Sequence, residues 1–205
     1  DSGLGWMNAD QSFRLDETLD RIEVVRGGPA SVFASNAPGG MVNFVTRRGT
    51  DVPSGLVKYE FGDFGRHRVD AWYGGPAGDW RYGVGGFWRI DDGIRDPGFR
   101  ANDGYQVRAA FGRDFERGSV DFNIKHMDDS VIFFLGVPLT FDSSGDTAEV
   151  PGFDANYGTF PGPETANVVV RDADGQRTIS NEDGTTVELS QATFKFNYDL
   201  GGGWR

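Results

Sequence analysis

The chain has 205 residues, a net charge of −11, 31 Gly and a hydrophobic fraction of 38%, too rich in glycine and too sparsely apolar for one compact soluble core of ordinary composition. No run approaches the roughly 18 consecutive apolar residues of a membrane-spanning helix; a helical membrane protein is excluded and a membrane β-barrel, whose strands signal far more weakly, is left open. The acidity is local: residues 128–185 hold 11 acidic and 2 basic side chains, and so acidic a region repels phosphates, which argues against a nucleic-acid partner despite the lone Arg26-Gly27-Gly28.

The absence of cysteine fits the cytoplasm and a disulfide-free envelope protein equally. The opening residues, DSGLGWMNADQSF, lack the basic start and apolar segment of a signal peptide, so an exported protein would carry this chain as a mature or internal piece.

In chain order, Ile22, Val24 and Val25 predict a short strand, and Gly27 and Gly28 let the backbone turn where a Cβ would clash. Pro29 suits the first position of a short helical turn over PASVFA. Asn36, Pro38, Gly39 and Gly40 predict a second turn, after which Val42, Phe44 and Val45 restart extended structure with Asn43 between them. No Gly-Lys-Ser/Thr follows the glycines, so they do not form a phosphate-binding loop.

From residue 55 onward the pattern has a period of two. Val57, Tyr59 and Phe61 alternate with Leu56, Lys58 and Glu60; Val69, Ala71 and Tyr73 with Arg68, Asp70 and Trp72. Over 80–90, Trp80, Tyr82, Val84, Gly86, Trp88 and Ile90 share one face, opposite Arg81, Gly83, Gly85, Phe87 and Arg89. Tyr105, Val107, Ala109, Phe111 and Phe115 oppose Gln106, Arg108, Ala110, Gly112 and Asp114. Val120, Phe122 and Ile124 oppose Asp121, Asn123 and Lys125, and Ala192, Phe194, Phe196, Tyr198 and Leu200 oppose Thr193, Lys195, Asn197 and Asp199. About six strands with one wet face predict an antiparallel sheet.

The connections alternate as well. Residues 76–79, 116–118 and 201–203 predict tight turns, whereas 91–104 and 128–185 are long polar excursions; only 62–66 is short where a long loop is due. Short turns on one side and long loops on the other is the organisation of an outer-membrane barrel, and Tyr73, Trp80, Tyr82, Phe115 and Tyr198, beside the short turns, stand where an interfacial aromatic girdle belongs. Within the second excursion, apolar arms around Asp174-Gly175 predict a hairpin. Asp172, Asp174, Asn181, Glu182 and Asp183 miss the spacing of a dedicated calcium loop.

Residues 15–48, with IEVVRG, GPASVFASNAPGG and MVNFVTRR in that order, closely resemble the end of the plug domain of TonB-dependent outer-membrane receptors. The resemblance implies an all-β chain: part of a transmembrane antiparallel barrel of about 22 strands, preceded by the C-terminal part of a mixed α/β plug. Residues 1–50 would end the plug and 51–205 would give about six barrel strands and the start of a seventh, a fragment without the early plug. It further implies active uptake of a scarce nutrient, such as a ferric siderophore, a glycan or cobalamin, across the bacterial outer membrane. The partners implied are outer-membrane lipid, the extracellular small molecule and a TonB energy-transducing complex whose contact segment lies outside this chain. Glu23, Arg26, Gly27, Gly28, Pro29, Gly39, Gly40 and Asn43 are the motif positions carried over, as structural residues or plug-to-barrel contacts; Glu23, Arg26, Arg47 and Arg48 read equally as solvated side chains or as lining that contact, with barrel partners in strands outside this chain. A passive porin and a soluble β-rich binding module are the alternatives.

Nothing predicts an enzyme, a cofactor or a metal site. Asp63-Phe64-Gly65 lacks the catalytic and glycine-rich loops that would make it a kinase motif. His67 and His126 are isolated, and with no Cys a zinc site would need carboxylates. No Gly-x-Ser-x-Gly elbow occurs, and the pairs Asp91-Asp92 and Asp128-Asp129 are expected in loops without an apolar setting.

Overall fold

The computed structural model describes residues 13–28, 39–95, 97–132, 139–150, 167–172, 175–180 and 185–201. Every regular element among them is a strand: β1 (Leu19–Arg26), β2 (Gly40–Thr46), β3 (Ser54–Gly62), β4 (Arg66–Ala77), β5 (Trp80–Asp91), β6 (Asn102–Phe115), β7 (Gly118–Val131), β8 (Leu139–Phe141), β9 (Thr147–Glu149), β10 (Asn167–Asp172), β11 (Gly175–Ser180) and β12 (Thr185–Tyr198). The helical turn expected over PASVFA lies outside the described residues.

Six of these form one antiparallel sheet in the order β3-β4-β5-β6-β7-β12. Consecutive strands are neighbours throughout, with β8 to β11 an excursion between β7 and β12. Asp63–Gly65, Gly78–Asp79 and Glu116–Arg117 turn tightly. Phe64 and Gly65 both have left-handed φ, 61° and 63°, so the turn that looked too short for its side closes by a backbone most residues avoid. β10 and β11 pair as the predicted hairpin, Asp172 facing Gly175. At the β8–β9 turn Asp142 Oδ1 accepts from the amides of Ser144 (2.9 Å) and Asp146 (3.0 Å).

The sheet is inverted relative to a soluble sandwich. Its apolar face is bare: Val57 is 75%, Phe61 76% and Phe194 68% exposed, and Tyr73, Val84, Trp88, Val107, Phe111, Phe122 and Ile124 share that face and its exposure. The other face carries the charge and is buried, with Gln106 and Asp129 at 0% and Asp70 at 2%. The aromatics beside the short turns touch along the bare face, Trp80 against Phe111 at 4.9 Å and Phe115 against Tyr198 at 6.4 Å between ring centroids.

Three strands outrun their sequence signal. β7 continues to Val131 and pairs with β12 from Thr185, so Asp128 and Asp129 belong to a strand and not to the loop expected for them. Asp91 likewise ends β5, held by Asn102 Nδ2 at 2.6 Å. The reason is visible in the register: above Ile124 the outward positions turn polar, with Asp128 opposite Glu188 and Ser130 opposite Thr186. Backbone pairing goes on where the apolar alternation has stopped.

The sheet ends in unpaired edges, β3 on one side and β12 on the other. With a bare apolar face as well, the isolated chain is expected to self-associate. Sedimentation of the purified chain in detergent-free buffer checks this; a soluble monomer with one cooperative unfolding transition would contradict it.

Candidate functional site

β1 and β2 form a separate two-stranded ribbon, and four of the eight motif positions, Glu23, Arg26, Gly40 and Asn43, lie on it. Glu23 faces Asn43 in the register. Asn43 Nδ2 donates to Glu23 Oε2 at 2.9 Å and Arg21 Nε donates to Oε1 at 2.8 Å; the Asn43 amide first, and Arg21 second, hold the exposed Glu23 carboxyl below its usual range. Arg26 stands opposite Gly40. Gly27 (φ 74°) and Gly40 (φ 132°) are left-handed, and a Cβ at Gly40 would stand 2.7 Å from the Val25 carbonyl oxygen. Gly28 and Gly39 face open space without such φ, so only half of the expected glycine requirement is conformational. Pro29 lies outside the described residues.

The extensive contact is elsewhere, on the buried face of the six-stranded sheet, and two short segments make it. Residues 47–50 cross β4 and β5: a Cβ at Gly49 would be 2.1 Å from the Tyr82 carbonyl oxygen and 2.7 Å from that of Gly75, so only glycine lets the chain lie this close. Arg47 lays its guanidinium over the Trp72 ring at 4.9 Å. Arg48 Nη1 donates to Asp114 Oδ1 at 3.1 Å, and its Nη2 bonds Asp121. For Arg48 the partners expected in absent strands are therefore present, on β6 and β7, while Glu23 and Asn43 bond within the ribbon. At the short-turn end Arg81 ties Asp51 (2.8 Å) to Asp114 (3.1 Å), lining a cavity of about 220 Å³ with Trp80 and Asp79.

Residues 13–18 form the second segment; 15–18 fall within the resemblance, but no contact was expected of any of the six. Phe13 stacks on Phe44 of the ribbon and lies beneath the Lys125 ammonium, 5.3 Å from its ring centroid. Arg14 Nε donates to Asp129 Oδ2 at 2.6 Å; Arg89 forks onto the same carboxylate, Nε to Oδ1 at 3.1 Å and Nη2 to Oδ2 at 2.7 Å. Arg68 forks onto Asp70, both bonds 2.7 Å, donates to the Leu15 carbonyl at 2.8 Å and covers the Phe87 ring at 4.4 Å. Asp16 accepts from the Thr18 amide at 2.9 Å, from its hydroxyl and from Gln106 Nε2. The Thr18 carbonyl then accepts from the Arg47 amide at 2.7 Å, joining the two segments.

Single ion pairs join the two segments to the sheet, largely buried at Asp129 and half-exposed at Asp114, beside bidentate Arg–carboxylate pairs within the sheet itself, Arg89 with Asp129 and Arg68 with Asp70. Among the described residues no cluster of His, Asp and Glu has the geometry to hold a metal ion. The missed signal was FRLDET at 13–18, whose Arg14 side chain, Leu15 carbonyl and Asp16 carboxylate meet Asp129, Arg68 and Gln106 only once the sheet exists.

The sequence matches no established family profile and no curated protein. The structure is similar to that of the ferripyoverdine receptor of the outer membrane of Pseudomonas aeruginosa, solved bound to ferripyoverdine, with a TM-score of 0.57 and 15% identity. The alignment covers 87% of this chain and 21% of the receptor, so the chain spans about a fifth of that protein's length. The likeness shows the fold, that of part of an antiparallel β-barrel.

Proposed function

We propose that this chain is part of a TonB-dependent transporter of the bacterial outer membrane, in which residues 1–50 end a lumen-filling plug and 51–205 begin the barrel wall. The inverted sheet carries the reading: an apolar face left bare for lipid, and a charged face buried under residues 13–18 and 47–50. A soluble module would bury the first face and wet the second. A passive porin would leave its inner face open to water.

The cargo is a small molecule taken up from outside the cell. The solved receptor's bound ferripyoverdine supports a ferric chelate ahead of a glycan or cobalamin. The energy would come from a TonB complex engaging a plug segment outside this chain. The long loops β5–β6 and β7–β12 then face the exterior and the short turns face the periplasm.

Topology gives the test. A Cβ at Gly145, in the β8–β9 turn, or at Gly78, in the β4–β5 turn, meets no atom within 4 Å, so both sites should accept a short epitope tag in the full-length protein. Antibody should label intact cells tagged at Gly145 and reach Gly78 only after the outer membrane is permeabilised. Equal labelling of both in intact cells would overturn the reading.

A further inference from the structure

Beneath residues 13–18 Arg68 pairs with Asp70, and Arg14 and Arg89 share Asp129. Among the described residues the carboxylate nearest to both Arg108 and Lys125 is Asp16. Asp16 bonds Thr18 and Gln106, although it lies close enough to attract both Arg108 and Lys125. Arg108 is 8% exposed, yet its buried Nε and Nη2 have no hydrogen-bond partner among the described residues. Those two N–H groups form the side-on edge of the guanidinium, the edge that forks onto a planar or tetrahedral oxyanion.

The surroundings of Arg108 fit an anion. Lys125 is its direct cross-strand partner on β7, roughly 5 Å away between Cβ atoms, so two like charges sit side by side. On the other side its partner is Gly85, where a Cβ would come within 3.1 Å of Thr18 Cγ2. The covering segment itself thus occupies the space over the glycine. Lifting it removes Asp16, frees Gln106 Nε2 and bares the guanidinium edge.

We propose that Gln106, Arg108 and Lys125 form an anion-binding step on the inner wall, covered at rest by residues 13–18, where a carboxylate, sulfonate or phosphate group of the transported ligand forks onto Arg108 once that segment lifts. This rests on the transporter reading and narrows its cargo to ligands bearing an oxyanion.

The chain has no cysteine, so an Ala110→Cys variant of the full-length protein places one thiol of this chain on the same face, about 7 Å along β6 from Arg108. Cells are treated with methanethiosulfonates of similar size bearing either a sulfonate or a trimethylammonium group, with and without the proton gradient. The expected result is gradient-dependent labelling that favours the sulfonate about tenfold, with the preference lost in Arg108→Gln and partly kept in Arg108→Lys, which retains the charge without the fork. Lys125→Gln, in case Arg108→Gln fails to reach the membrane, should reduce the preference several-fold. Energised labelling with no charge preference, or one indifferent to both substitutions, overturns the anion step and leaves the transporter reading standing. Arg108→Gln that labels strongly without the gradient overturns it too, because Arg108 would then be holding a carboxylate of the plug at rest. No labelling under any condition overturns both.

Discussion

Replacing Asp129 with Ala in the full-length protein is expected to cost about 3 to 5 kcal/mol, because it strands two largely buried arginines without their carboxylate. The carboxylate is fully buried, Arg14 and Arg89 are 15% and 20% exposed, and three short bonds converge on it. The size of the loss comes from the orphaned charges more than from the pair itself, since a buried ion pair contributes little against well-packed apolar residues. Arg14→Gln should cost less, about 1.5 to 3 kcal/mol for one charge-assisted bond, because Asp129 keeps both bonds from Arg89. The double variant should be less destabilised than the two singles added together, since the groups share one network. Denaturant unfolding in detergent micelles, followed by the mobility shift between folded and unfolded barrel, measures all three. An Asp129→Ala midpoint equal to that of the unaltered protein would mean that residues 13–18 do not lie on the wall.

The alternation that defines β3 to β7 and β12 could be read directly, because a wall with lipid on one side and charge on the other must change polarity at every residue. Which face would be buried could not be read from that alternation alone. A pair such as Gln106 and Arg108 looks like part of a solvated surface, and only the segment that folds over it, about 90 positions away in sequence, removes the water. Asp129 shows the difficulty best. Beside Asp128 it reads as a loop carboxylate, yet the outward Asp128 pairs with Glu188 in the register while the inward Asp129 is fully buried. The glycines were half legible. Gly27 and Gly40 need their backbone angles, as turn chemistry suggests, whereas Gly49 is required by a neighbour, the Tyr82 carbonyl, that no local rule reveals.

In the proposed transporter the charged face lines a lumen closed by the chain that precedes β3, and removing that closure has the largest expected effect. Arg48 and Gly49 anchor the connection to β3 on β5, β6 and β7, so the full-length protein can lose everything up to Thr46 and keep the wall's own contacts. Arg14 and Asp16 then leave, and Arg68, Gln106 and Arg108 face water, which solvates charged groups far better than a closed interior does. The decisive measurement is single-channel conductance in planar bilayers for the intact protein and for this deletion. The intact protein should conduct little and the deletion should form a large, steadily open pore. The same conductance before and after deletion would contradict it.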